Sequence, residues 1–229
     1  MSNFTIFNIG LSLLSRNISR RETLSVEGKR VLSLLEGRSV ADDDILIEEN
    51  GRPYFKDRHA DFNISHSGDM AAVSIVKSGG LYTGCDIQLI KNRTHTKEIA
   101  EKFFTVPEKN YIFSQDKGRH NETEISKTRF FEIWTLKECY LKLRGLSVFD
   151  MAKAPSFISE EGGDIFTFDA PVSSPLLFYL YRLGDNSGAQ YMLAAAVEGA
   201  DCAPSIHWFS GSTLACDLTA KIEAAPGYL

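Results

Sequence analysis

The fold of this sequence is constrained above all by a series of short apolar segments that end at Gly, Asp, Ser or Pro. Helical patterns lie between some of these segments but not between others. Such segments have the length and composition of β-strands. After residue 156 they follow one another directly, which is typical of an antiparallel sheet. The strands predicted in this way are residues 4–11, 45–48, 70–76, 81–89, 157–158, 165–168, 176–183 and 191–197.

Four further segments have the apolar spacing of helices, and with the strands they predict an α+β fold. The predicted helices are residues 20–36, 96–104, 105–113 and 125–143. Thr105-Val106-Pro107-Glu108 is a helix start with proline near the first position. Gly145 can end the longest helix.

The length of 229 residues suits one large domain or two domains of about 100 residues. The strand MLAAAV near 192–197 echoes MAAVSIV near 70–76. We therefore predict two similar α+β halves, residues 1–104 and 105–229, each with a small antiparallel sheet and packed helices.

Composition narrows the classes of protein to consider. A net charge of -5 lacks the basic excess of a nucleic-acid binder. The four cysteines form no C-x-x-C pair and no zinc-ligand spacing, so we expect reduced, buried thiols and a cytoplasmic protein. No apolar stretch approaches the ~20 residues of a membrane span, and the N-terminus lacks a signal-peptide pattern, so we expect a soluble protein.

The predicted helix at 125–143 carries a strip of side chains that core packing alone does not explain. Trp134, Glu138 and Lys142 are spaced at i, i+4 and i+8, so they share one face of the helix. A carboxylate beside a large aromatic side chain needs a cationic partner, because an unpaired buried charge is costly. Two interpretations stay open here: a surface salt bridge between Glu138 and Lys142, or a functional site.

Asp86 and Gln88 alternate along a predicted strand and therefore point to the same face. An aspartate inside an apolar strand is unexpected unless it has a ligand or a partner. Together with Glu138, these residues offer three side-chain oxygens, the type of ligand that Mg²⁺ prefers. The alternative is an ion pair between Asp86 and a nearby lysine or arginine.

The segment from Asn63 to Gly68 is predicted to be a turn whose hydroxyl, imidazole and backbone N–H groups suit a phosphate. The alternative for His66 is a structural hydrogen bond. Several cationic residues either converge on phosphates or simply face solvent. They are Arg20, Arg21, Lys29, Arg30 and Arg52.

Five strings, in this order, resemble the motifs of the 4′-phosphopantetheinyl transferase superfamily, specifically its Sfp-like, two-half monomeric branch. They are G-R-P at 51–53, F-N-I-S-H-S at 62–67, G-C-D-I-Q at 84–88, F-F-T-V-P-E at 103–108 and W-T-L-K-E-C-Y-L-K at 134–142. The resemblance covers roughly residues 15–145. It implies a monomer whose two halves are related by pseudo-twofold symmetry.

The resemblance implies a magnesium-dependent site. Asp86 and Glu138 would be catalytic carboxylates that hold Mg²⁺, and Lys142 would hold the phosphates and assist the reaction. Gln88 stands where many members carry a second acid, so it brings a carbonyl oxygen but no negative charge. We therefore expect weaker or more hydrated metal binding at Asp86, Gln88 and Glu138, with activity retained.

The resemblance also implies contacts with coenzyme A. Ser65 and His66 would contact the 3′-phosphate, and Arg52 would lie near the adenine and 3′-phosphate region. Lys137, the partner lysine of the W-x-x-K-E string, and Arg21 complete the predicted coenzyme-binding set.

The implied reaction transfers the 4′-phosphopantetheine arm of coenzyme A to a serine of an apo acyl or peptidyl carrier protein and releases 3′,5′-ADP. The carrier would dock at residues 106–113 or 114–123, although the latter segment equally suits an ordinary exposed loop. One competing hypothesis is a non-catalytic module that binds coenzyme A or a carrier. Another is an unrelated Mg²⁺-dependent nucleotide hydrolase, but no phosphate-binding loop motif is present. Fatty-acid, polyketide, peptide-synthetase and siderophore pathways all remain open.

Overall fold

A computed structural model gives the fold and confirms the α+β class. It describes residues 5–14, 20–92, 95–114, 123–159, 166–168, 174–185, 187–210 and 215–223. Helices lie beside small sheets whose strands are mainly antiparallel. Within those ranges, no helix is both long and apolar enough to cross a membrane.

The helices lie close to the predicted segments. They are α1 (Arg20–Glu36), α2 (Thr96–Phe103), α3 (Val106–Phe113) and α4 (Glu124–Leu143). At the start of α3, the carboxylate of Glu108 accepts the backbone N–H of the N-cap residue Thr105 at 2.8 Å. After α4 the chain turns at Gly145, whose φ of 62° lies in the left-handed region that favours glycine.

Most strands also match the predicted segments. They are β1 (Ile6–Leu13), β2 (Ile45–Ile47), β3 (Pro53–Phe55), β4 (Asp61–Ser67), β5 (Met70–Lys77), β6 (Tyr82–Leu89), β7 (Phe157–Ser159), β8 (Phe166–Phe168), β9 (Leu176–Gly184), β10 (Gln190–Glu198), β11 (Ser205–Ser210) and β12 (Ala215–Glu223). Strands β3, β4, β11 and β12 were not predicted. The predicted turn at 63–68 is wrong, because residues 61–67 pair with β5 and only Gly68-Asp69 turn the chain.

Two four-stranded sheets form the centre of the molecule. The first has the order β11-β1-β5-β4, and the second has the order β12-β9-β10-β6. Strands β1 and β11 are parallel, and the other pairings of described strands are antiparallel. The strand pairs β2-β3 and β7-β8 form small separate sheets.

Strand pairing crosses the predicted boundary near residue 105. Strand β6 pairs with β10 of the predicted second half, and β11 pairs with β1 of the predicted first half. Each large sheet therefore contains one strand from the other side of the boundary. The division into halves and their pseudo-twofold relation stay predictions.

The apolar residues form three layers of core around the two large sheets. Helix α1 covers the first sheet through Val31, Leu32 and Leu35. Side chains of both sheets, such as Leu11 and Ile87, pack together between them. Helix α4 and its neighbours cover the second sheet. The order of layers is therefore helix, sheet, sheet, helix.

A row of hydrogen bonds joins the edge strands of the two sheets, and we call this row the seam. Side-chain oxygens at alternate positions of β4 accept backbone N–H groups at alternate positions of β6. The pairs are Asp61–Thr83 at 2.7 Å, Asn63–Cys85 at 3.4 Å, Ser65–Ile87 at 3.1 Å and Ser67–Leu89 at 2.9 Å. The seam satisfies N–H groups that an edge strand would otherwise leave without a ladder partner.

Helix α4 lies directly against β6 at Gly84. A Cβ atom at this position would lie 2.7 Å from the carbonyl oxygen of Cys139 and 2.9 Å from Cβ of Leu143. No side chain fits there without moving the helix. Gly84 therefore allows the last turns of α4 to lie directly against the strand that carries Asp86.

We predict that Gly84→Ala destabilises the protein by about 1–3 kcal/mol, because overpacking forces the backbone of α4 away from β6. Gly79→Ala is the matched control, since a Cβ at Gly79 would meet nothing within 4 Å. Urea denaturation of both variants measures the difference. Equal stability of the two variants would contradict the close approach described here.

Candidate active site

Asp86 lies in the middle of β6 and is the most densely bonded carboxylate at the seam. Its side chain is 1% exposed. Its Oδ1 accepts hydrogen bonds from Ser65 Oγ at 2.8 Å and from Lys142 Nζ at 2.6 Å. Its Oδ2 accepts the amide nitrogen of Gln88 at 2.8 Å. These three donors fix the orientation of the carboxylate.

Ser65 connects the seam to this carboxylate. Its hydroxyl accepts the N–H of Ile87 at 3.1 Å and Lys142 Nζ at 2.7 Å, and it donates to Asp86. A serine hydroxyl has one donor and two acceptor sites, so these partners occupy all of them. The predicted contact of Ser65 with a 3′-phosphate stays a prediction, and the observed bonds do not support it.

Lys142 reaches Asp86 from the last turn of α4. Its side chain is 29% exposed, so the ion pair lies at the edge of the buried region. Burial alone would lower the pKa of Lys142, but Asp86 and further negative groups that include Glu138 raise it above its ordinary value. The ammonium therefore stays charged at neutral pH.

Glu138 lies on the same helix, one turn before Lys142, and is half-buried. Its charge acts on Lys142 together with that of Asp86. Asp86 therefore bonds the ammonium of Lys142, and Glu138 lies on the same helix as that lysine, one turn earlier. Of the two alternatives for Asp86, the ion pair with a lysine is present, and its partner is Lys142.

The carboxylates of Asp86 and Glu138 are oxygen donors of the type that a hard cation takes. Within the described ranges, no group of three or more His, Cys, Asp or Glu residues could hold a metal ion. Mg²⁺ does not require such a group, because it commonly takes one or two carboxylates and completes its shell with water and substrate phosphate. Asp86 and Glu138 fit that donor set. Gln88 presents its amide nitrogen to Asp86, so its carbonyl oxygen would have to turn to serve as a ligand.

Arg52 lies beside this cluster, but its guanidinium is buried and bonded to protein groups. It donates to Asp61 Oδ2 at 2.5 Å and to the carbonyl of Thr83 at 2.9 Å. It also donates to the carbonyl oxygens of Lys142 and Leu143 at the end of α4. Its predicted contact with coenzyme A stays a prediction.

Lys137 is separated from the cluster and lies in a buried ion pair. Its Nζ lies 3.1 Å from Glu108 Oε1, with side-chain exposures of 1% and 0%. It also donates to the carbonyl of Pro155 at 3.1 Å, while Glu108 accepts the N–H groups of Thr105 and Phe157. Burial lowers the pKa of Lys137 against the pull of Glu108. This position does not support the predicted coenzyme contact, which stays untested.

The other predicted residues are distributed as follows. His66 is exposed, and it follows Ser65 on the opposite face of β4. The side chain of Arg21 lies outside the described residues, although its backbone belongs to α1. Residues 115–122 of the predicted docking loop also lie outside them.

The seam roles of Asp61, Asn63 and Ser67, and the ion pair of Glu108, were not predicted from the sequence. The alternation of polar and apolar residues in D-F-N-I-S-H-S was a usable signal, because it has the period of a strand. No sequence pattern indicated that Glu108 is the partner of Lys137. A glutamate three residues after Thr105 is already explained by its position in the first turn of a helix.

Comparison with known proteins finds similarity to 4′-phosphopantetheinyl transferases. The family model of the 4′-phosphopantetheinyl transferase superfamily matches residues 82–194. A 4′-phosphopantetheinyl transferase, AcpT, of Salmonella typhi is 29% identical over 170 residues, which cover 67% of this chain and 82% of that protein. The 4′-phosphopantetheinyl transferase gsp of Aneurinibacillus migulanus is 33% identical over 118 residues, 51% of this chain and 45% of that protein. The transferase psf-1 of Bacillus pumilus is 31% identical over 117 residues, 50% of this chain and 46% of that protein.

We predict that Glu108→Gln destabilises the protein by about 3–5 kcal/mol, because it leaves the buried ammonium of Lys137 without a counter-charge. The double variant Glu108→Gln/Lys137→Met removes both charges and should be less destabilised than the sum of the single variants. Urea denaturation measures all three. Strictly additive losses would show that the two side chains do not interact.

Proposed function

Because the chain belongs to the 4′-phosphopantetheinyl transferase superfamily, we propose that it transfers the 4′-phosphopantetheine arm of coenzyme A to a serine of an apo carrier protein. The observation that carries this proposal is the ion pair of Lys142 with Asp86, with Glu138 one helical turn before Lys142, all within the segment that the family model matches. The other product is 3′,5′-ADP. A cytoplasmic location and a monomeric state are part of the proposal.

In the proposed reaction, the serine oxygen attacks the β-phosphorus of coenzyme A. A new bond forms between that oxygen and phosphorus, and the bond to the bridging oxygen of the pyrophosphate breaks. Negative charge grows on the departing 3′,5′-ADP. Lys142 offsets this charge because its raised pKa keeps the ammonium protonated.

The proton of the serine hydroxyl needs an acceptor, and Glu138 is the proposed base. It is half-buried, whereas Asp86 is almost completely buried and accepts three hydrogen bonds. Glu138 is therefore the more accessible of the two carboxylates. General base catalysis of this kind contributes typically about 10²–10⁴ in rate.

Asp86 and Glu138 would hold Mg²⁺, with the pyrophosphate and water completing the shell. When bound, Mg²⁺ would supply positive charge to the pyrophosphate oxygens. Asp86 is already oriented by Ser65 and Gln88, so little reorganisation of this carboxylate is needed. His66 and Arg21 are the proposed contacts for the 3′-phosphate.

A second candidate function is a module that binds coenzyme A or a carrier without transfer. The observation in its favour is Gln88, which adds no negative charge to the site and donates to Asp86. Retention of both Asp86 and Glu138 favours the catalytic function instead, because these two carboxylates with a pyrophosphate suffice for Mg²⁺.

The direct test incubates the protein with coenzyme A, Mg²⁺ and a panel of apo acyl and peptidyl carriers, followed by mass spectrometry of each carrier. We expect at least one carrier to gain one phosphopantetheine arm, and we expect EDTA to stop the gain until Mg²⁺ is restored. Asp86→Asn and Glu138→Gln should each lower the rate by about 10²-fold or more. Glu124→Gln is the control, because Glu124 lies on the same helix but is 85% exposed.

Each result separates the candidates. Coenzyme A binding without a mass gain on any carrier would favour the non-catalytic module. Full activity of purified Asp86→Asn and Glu138→Gln would contradict the assignment of the site. Insensitivity to EDTA would contradict the role of Mg²⁺.

We predict that Gln88→Glu lowers the Mg²⁺ concentration needed for half-maximal transfer, because it adds a carboxylate beside Asp86. Titration of Mg²⁺ in the carrier assay measures this value for both proteins. Gln190→Glu is the control, since Gln190 is exposed at the start of β10. A higher Mg²⁺ requirement in Gln88→Glu would contradict the proposed metal position.

A further inference from the structure

Resting on the proposed function, we infer that Arg52 is a positioning residue that holds the last turn of α4, and with it Lys142, against the seam. This role differs from the coenzyme contact that the sequence resemblance implies for Arg52. The partners of its guanidinium indicate this role.

The two terminal nitrogens of Arg52 join three segments of the chain. One nitrogen donates to the carbonyl oxygens of Lys142 and Leu143 in α4. The other donates to Asp61 of β4 and to the carbonyl of Thr83 in β6. Arg52 is 8% exposed, so these contacts are shielded from water. A planar fork of N–H groups is suited to such a set of acceptors, and a lysine is not.

The contacts with α4 satisfy a general requirement of helix ends. The last four carbonyl groups of an α-helix have no partner within the helix, and a cation near them is favourable. Lys142 is held by its carbonyl oxygen through Arg52 and by its side chain through Asp86 and Ser65. The main-chain contact therefore determines where the catalytic ammonium can reach.

A direct contact with the 3′-phosphate would require Arg52 to give up its present hydrogen bonds. Its N–H groups would have to turn toward the ligand, which would leave Asp61 buried without its counter-charge. Asp61 also accepts the N–H of Thr83 in the first pair of the seam. The observed bonds thus link Arg52 both to the seam, through Asp61 and Thr83, and to the end of α4.

The experiment compares the binding of coenzyme A and of 3′-dephospho-coenzyme A, which differ only in that phosphate. Arg52→Lys keeps the charge but loses the fork, and Arg58→Lys is the control because Arg58 is 61% exposed in the segment after the same hairpin. We expect the ratio of the two dissociation constants to be the same in Arg52→Lys and the wild type. We expect kcat of transfer to fall by about 10- to 100-fold, because small displacements of catalytic groups have such effects.

Hydrogen–deuterium exchange of residues 141–146 gives a readout that requires no carrier. We expect faster exchange there in Arg52→Lys than in Arg58→Lys. If Arg52→Lys does not fold, Asp61→Asn, which removes the charge that orients Arg52, should shift the exchange in the same direction. Unchanged exchange, or a coenzyme A affinity that falls to that of the dephospho form, would overturn the inference. A wild type that modifies no carrier would contradict the proposed function, while the exchange would still test Arg52.

Discussion

Hydrogen bonds from the backbone of β6 to the side chains of β4 are the interaction on which the rest of this structure depends. An edge strand normally exposes alternate N–H groups, and here the acceptors are side chains rather than a further strand. Because both partners repeat every second residue, the seam also fixes the position of β6 along β4. The depth and orientation of Asp86 follow from that position.

The candidate active site is an extension of the seam. Ser65 belongs to the seam and also donates to Asp86, so the carboxylate is tied to the joint between the sheets. Gly84 brings α4 close to β6, and Arg52 holds the end of the helix there. Lys142 can therefore meet a carboxylate 56 positions earlier in the chain. Such pre-organisation is what charge stabilisation in a phosphoryl transfer requires.

Local periodicity allowed the helices and most strands to be predicted from the sequence, since α1 to α4 each carry a helical pattern or a start signal. The candidate carboxylates could also be predicted, because a charge in an apolar element needs a partner. Strand β4 was missed because its polar residues and Gly68 were interpreted as a turn. The partners of Arg52 and Lys137 include the carbonyls of Leu143 and Pro155. Every residue has a backbone carbonyl, so the sequence does not indicate which of them accepts a side-chain hydrogen bond.

The exchange of strands between the early and late parts of the chain has a consequence for biosynthesis. Strand β6 leaves the ribosome about 100 residues before β10, its only ladder neighbour among the described strands, and β1 precedes β11 by an even longer interval. Closing such long loops is slow compared with forming local contacts. The nascent chain therefore carries β6 without its partner strand while about 100 further residues are synthesised, and shielding of β6 by a chaperone or by β4 would protect it from aggregation during that time.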